Sequence, residues 1–189
     1  MEIFLSIIAI IVIVSYLWYA SIIGKRNKGQ EALSGIDVQL KKRSNLIPNI
    51  LKIAQKFLQH EKSLLTEITD LREQTDKGYD KADKNSVQQH LQVSELLAGK
   101  MGQLMVRVEA YPDLKSDQTM VQAMQTYNEV EAQIAAARRF YNSAVTALNN
   151  AVQIFPGNII ANIAGVSELP FYETDDTARA PISADDYLK

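Results

Sequence analysis

Ile36, Leu40, Ile47, Ile50, Ala54, Phe57, Leu64, Ile68 and Leu71 recur at intervals of four, three or their sum. On a helix of 3.6 residues per turn such positions fall on one stripe, so the spacing predicts a helix with a single apolar seam from Ile36 to Leu71. Read as one element it reaches roughly 50 Å at about 1.5 Å per residue, against the usual helix of about 11 or 12 residues. A seam of that length has to be covered by other helices.

Two further seams supply the cover. Val87, Leu91, Leu97, Met101, Leu104 and Val108 predict a second helix that starts at Ser86 and stops near Tyr111-Pro112-Asp113. Ser116 is placed to cap a third, whose seam runs through Met120, Met124, Tyr127, Ile134, Tyr141, Val145, Leu148, Val152 and Phe155 to Pro156. Asp76, Gly78, Asp80, Asp83 and Asn85 read as the turn between the first and second helices. Ile159, Ile160, Ala161 and Ile163 suit a short fourth helix on the end of the bundle. Pro48 removes a backbone donor and predicts a kink or break, yet the seam keeps its phase from Leu40 to Ile47 to Ile50. The expected fold is all-α: an N-terminal membrane helix followed by an antiparallel bundle of three long helices and a short fourth.

The membrane helix is read from Ile3 to Ile23, where no charge occurs, close to the ~20 residues that cross a ~30 Å hydrocarbon core. The run exceeds a signal-peptide core and lacks a basic segment ahead of it. Tyr16, Trp18 and Tyr19 gather at its C-terminal half, and Lys25, Arg26 and Lys28 follow. Aromatic rings favour the headgroup level and positive charge stays on the cytoplasmic side, so the N-terminus is expected outside and the body in the cytoplasm, anchored in a bacterial inner membrane. Residues 1–24 then form the anchor, 25–35 a juxtamembrane linker, 36–165 the bundle and 166–189 an extended acidic tail, partly tethered by Phe171 and Tyr172. Gly24, Gly29 and Gly35 leave open whether the linker is a loose joint or a weakened helix.

Charge and composition close off several functions. Setting Glu2 and the basic trio aside reduces 20 basic and 22 acidic residues to 17 and 21, a mildly acidic body that argues against nucleic acid. With no cysteine the chain has no disulfide, no thiolate metal site and no acylation anchor. Lys41-Lys42-Arg43 is bracketed by Leu40 and Leu46 at helical spacing and reads as a solvated helix face. His60-Glu61 is not followed by a second histidine at metal-ligand spacing, and the other histidine is His90. Neither a Gly-x-x-x-x-Gly-Lys-Ser/Thr loop nor a Gly-x-Gly-x-x-Gly turn is present to cradle a phosphate. No cofactor is expected.

Several separated stretches resemble the LemA family: Ile36-Asp37-Val38-Gln39-Leu40-Lys41-Lys42-Arg43 with Leu46-Ile47-Pro48-Asn49, then His60-Glu61, Glu109 to Lys115, Ala137 to Asn142, and Phe155-Pro156. They fall in the family's order over nearly the whole chain. Ser34-Gly35 departs from the aromatic-led segment common before the Ile-Asp pair. The resemblance implies one N-terminal membrane helix and a body of long antiparallel helices. It implies no activity, although some members are encoded near membrane metalloproteases, which hints at a partner.

Four charges fall on the seams themselves: Arg43 and Glu61 on the first helix, Glu131 and Arg138 on the third. Buried charges need partners, and with the first and third helices parallel the expected pairs are Arg43 with Glu131 and Glu61 with Arg138. The other reading leaves each charge at the seam's edge, reaching water. Such pairs fix register without needing a substrate. The favoured function is therefore a non-enzymatic, membrane-anchored scaffold or adaptor that self-associates or docks a membrane partner. Self-association is expected because the short second helix leaves part of the longer seams uncovered. The rival is an enzyme or metal-binding protein with a polar site near His60, Glu61 and Arg138 or Arg139.

Overall fold

A computed structural model describes residues 1–58 and 60–173, and these residues contain six helices: α1 Glu2–Ala54, α2 Lys62–Thr75, α3 Lys84–Glu109, α4 Pro112–Lys115, α5 Gln118–Gln153 and α6 Gly157–Ile163. The fold is all-helical, as the seams predicted. Helix α1 is continuous for 53 residues, about 80 Å at 1.5 Å per residue, and its first part is long and apolar enough to cross a membrane. Residues 25–35, left open between joint and helix, are helical and carry the span directly into the bundle.

The seam from Ile36 to Leu71 is divided between two antiparallel helices. Helix α1 passes through Pro48 unbroken and ends at Ala54, and the chain reverses before Lys62. Asp76 at the end of α2 returns to Lys41 and Ser44 of α1, which fixes the antiparallel sense. Ala54 and Leu58 plug the reversal, at 0% and 1% exposure. Gln55 to Glu61 contains neither glycine nor proline, so the residue pattern carries no sign of a turn.

Helix α3 runs beside α1 in the same sense, since His90 approaches Asp37 and Ser94 meets Arg43. Helix α5 returns antiparallel along α1. The bundle is thus up-down-up-down, with α1, α2, α3 and α5 as its members. Asp83 and Asp117 cap α3 and α5, accepting from the amides of Ser86 and Met120 at 2.8 and 2.9 Å, so the helices start beside the expected Ser86 and Ser116. The short α4 occupies the proline-aspartate stop. Helix α6 lies where a short fourth helix was expected, against α1 and α5.

Residues 166–173 form an extended strap over the end of the bundle nearest the span. Val166, Leu169 and Tyr172 enter the core, whereas Phe171 is 44% exposed. The acidic tail beyond Glu173 lies outside the described residues.

Candidate functional site: a polar belt between two cores

Two apolar clusters fill the bundle. One, near the span, gathers Ile22, Leu33, Ile36, Val87, Tyr141, Leu148, Leu169 and Tyr172; the other, at the far end, gathers Ile50, Leu65, Ile68, Leu97, Leu104 and Met120. Between them α1 presents polar side chains at Asp37, Lys41, Arg43 and Ser44, which its helical twist aims at different neighbours.

Arg43 is 1% exposed. Its Nη2 donates to the Ser94 carbonyl of α3 at 2.8 Å and its Nη1 to Glu131 Oε1 of α5 at 3.3 Å, so one guanidinium joins three helices. The predicted pairing with Glu131 forms, but in antiparallel rather than parallel geometry, because the extra reversal after Ala54 inverts the sense of α5 relative to α1. Tyr127 faces the same group, and burial foremost, with the Glu131 charge, pushes its hydroxyl well above the ordinary phenol range.

The predicted pairing of Glu61 with Arg138 does not form. Glu61 sits at the start of α2 and meets Arg107 at 3.5 Å. Arg138 meets Glu95 at 2.7 Å and stacks over the Tyr172 ring at 4.2 Å. Glu95 and Arg107 are separated by about 18 Å along α3 at 1.5 Å per residue, so Glu61 and Arg138 belong to different levels of the bundle. His60 is exposed in the reversal, and Arg139 is exposed on α5.

Asp37 anchors a second part of the belt. It accepts from Tyr79 Oη at 2.8 Å and pairs with Lys81, while His90 Nε2 stands 3.6 Å away and the His90 and Tyr79 rings stack at 4.0 Å. Burial pushes the Asp37 carboxyl up, but His90, Lys81 and Tyr79 outweigh it and hold the group below the ordinary aspartate value.

Pro48 explains a third contact. Having no N–H, it leaves the Ser44 carbonyl without its helical partner, and Arg72 Nε of α2 donates to that carbonyl at 2.9 Å. Asp76 accepts from the Ser44 hydroxyl and from Lys41, each at 3.0 Å. Burial opposes ionisation of Asp76, but Lys41, Ser44 and Arg72 together outweigh it and depress its pKa.

The strap is clamped by two asparagines spaced seven apart on one face of α5. Asn149 exchanges both hydrogen bonds with the backbone of Leu169, and Asn142 does the same with Tyr172, all between 2.9 and 3.0 Å. Tyr141 Oη donates to the Pro170 carbonyl at 2.8 Å. Asp37, Ser44, Asp76, Tyr79, Asn142 and Asn149 are site residues beyond those the sequence pattern predicts. The seven-residue spacing of the asparagines was the one visible signal for the clamp.

Tyr16, Trp18 and Tyr19 lie on the apolar part of α1, with Tyr16 and Tyr19 at 67% and 46% exposure. Lys25 reaches back to Ser21 Oγ at 2.6 Å, while Arg26 is half-buried and Lys28 exposed. An apolar helix running unbroken into a four-helix bundle, whose polar belt is tied internally, defines a membrane-anchored helical protein. The chain belongs to the LemA family, which it matches over residues 32–185. It is also similar to magnetosome protein MamQ 1 and MamQ 2 of Paramagnetospirillum magneticum, each 24% identical over 200 aligned residues that cover 94% of this chain and 74% of the relative. MamQ of Magnetospirillum gryphiswaldense is 23% identical over the same shares.

Proposed function

We propose that the chain is a non-enzymatic scaffold or adaptor in a bacterial cytoplasmic membrane, with its N-terminus outside and its bundle in the cytoplasm, that self-associates or docks another membrane protein. The carrying observation is that Asp37, Lys41, Arg43 and Ser44 each end on another helix of the same chain, or on the turn beside it, and so set helix register rather than face a ligand. Lys25, Arg26 and Lys28 beside the span favour the cytoplasmic orientation of the bundle.

Self-association does not rest on an uncovered seam, because α2 folds back and closes it. It rests on the tether, which confines identical copies to two dimensions in parallel orientation and raises their effective concentration. A groove of ≈ 730 Å³ beside the strap, lined by Leu91, Leu96, Lys100 and Phe171 among others, offers a partner a mixed polar and apolar surface. Crosslinking in intact membranes at native expression tests the proposal. A ladder ending at a defined multiple, or a discrete adduct with one membrane protein, is the expected result; monomer at every crosslinker dose overturns it.

A further inference from the structure

The corner where α5 turns into α6 exposes the apolar side chains Ile154, Phe155, Ile159 and Ile163, at 59%, 73%, 53% and 83%. Ile159 and Ile163 are four apart on one face of α6, while Gly157, Ile160, Ala161 and Ala164 of the other side pack on the core. Gly157 makes the corner possible, since a Cβ there would lie 2.1 Å from the Ala151 carbonyl oxygen.

The depth of this corner follows from helix register. About 25 residues from the Arg43 and Glu131 contact toward the span, at equal rise along two antiparallel helices, lie Trp18 on α1 and Pro156 beyond α5. The same closeness appears directly: a Cβ on Gly157 would stand 3.4 Å from Trp18 Cζ3. Ile22, inside the charge-free run that crosses the membrane, is 0% exposed because the bundle's end sheathes it. A span that starts near Ile3 and needs about 20 residues ends near Ile23, so the corner overlaps its last turn. Composition agrees independently, for Arg139 and Glu168 bracket a stretch, 140–167, without one charged residue. Leu96, Val106 and Val121, exposed on the rest of the body, stand among charged neighbours instead.

We infer that the α5–α6 corner is a second membrane-contact element, with Ile154, Phe155, Ile159 and Ile163 seated in the acyl chains just below the headgroups, beside the exit of α1. An apolar face of this kind lies about 5–10 Å into the boundary region of a bilayer. Continuity with the span and the missing charges assign it to lipid. The bundle is then held at two points and cannot swivel about α1. The inference rests on the proposed anchoring of α1.

The absence of cysteine allows single-site labelling of the full chain in phosphatidylcholine–phosphatidylglycerol vesicles. Nitroxides go on Ile159→Cys and Ile163→Cys, with Ile10→Cys reporting the span and Val106→Cys the far end of the body. Collision with oxygen, which concentrates in lipid, is compared with collision with a water-soluble nickel chelate. The expected result is a several-fold preference for oxygen at 159 and 163, approaching that at 10, and the reverse at 106. Nickel access at 159 and 163 equal to that at 106, with 10 still in lipid, overturns the corner alone; nickel access at 10 overturns the anchor itself. Shielding from both reagents with spin–spin broadening between copies means a second chain covers the corner, and also overturns the inference.

Discussion

Arg43 carries its charge at 1% exposure, and its Nε has no hydrogen-bond partner among the described residues. A buried ion separated from its partner is far costlier than the intact pair, at about 3–5 kcal/mol, whereas replacing both members by apolar groups is often neutral or stabilising. Glu131→Ala should therefore destabilise by about that range, and Arg43→Met with Glu131→Met together should recover most of the loss in denaturant titrations of the detergent-solubilised chain. Equal losses in the single and double variants would show that the pair does not govern stability. The acid limb is set elsewhere in the belt. Asp37 and Asp76 are both held below the ordinary value of 3.8, so the unfolded chain binds their protons first on acidification. Their contribution is complete above about pH 5, begins to fade as pH approaches the unfolded value of 3.8 and is lost as pH falls through the depressed folded values. Asp37→Asn and Asp76→Asn should lower stability at neutral pH and flatten that acid limb, as followed by thermal unfolding from pH 7 to pH 3.

At the level of elements, the seams located the helical stretches but ran α1 and α2 together as one helix from Ile36 to Leu71, where the chain turns back after Ala54. Phe57, Leu64 and Leu71 stay in phase with Leu40 and Ala54, because a reversal that tucks Leu58 into the core preserves the count of apolar residues. Only Pro48 looked like a breaker, and the structure uses it differently: the carbonyl it frees at Ser44 becomes the docking point for Arg72 of α2. Pro48→Ala would return an N–H to that carbonyl and put the helix's own bond in competition with Arg72. The substitution should be tolerated by α1. Arg72→Ala should cost about 1–2 kcal/mol in the native background and measurably less beside Pro48→Ala, because the contact it removes is already weakened. A cost unchanged between the two backgrounds, measured by a double-mutant cycle, would separate Pro48 from the docking of α2. The belt was partly legible in the same way. Arg43 and Glu131 stood out as charges on seams, but Asp37 sits at a seam edge, Asp76 ends α2, and Ser44, although 2% exposed between Leu40 and Ile47, is a small uncharged residue of a kind common within helices.

For the whole molecule, the two apolar clusters and the belt between them imply regions of different stability. The cluster near the span is completed by the strap, whose Leu169 and Tyr172 pack with Ile22, Leu33 and Leu148. The far cluster contains no strap residue and is closed by α2, α3 and the first half of α5. Leu169→Ser with Tyr172→Ser removes apolar area from the first cluster alone and strips the Tyr172 ring from Arg138. Local opening spans a range of free energies up to the global value, and cooperative units tend to follow such packing boundaries. Amide exchange should accordingly accelerate in α1 from about Ile22 to Leu40 and in α5 beyond Ile134, while α2 and the half of α3 around Leu97 to Leu104 keep their protection. A uniform loss of protection across all four helices would mean that the Arg43 belt couples the clusters into one unit, and would exclude independent opening of the membrane-proximal end.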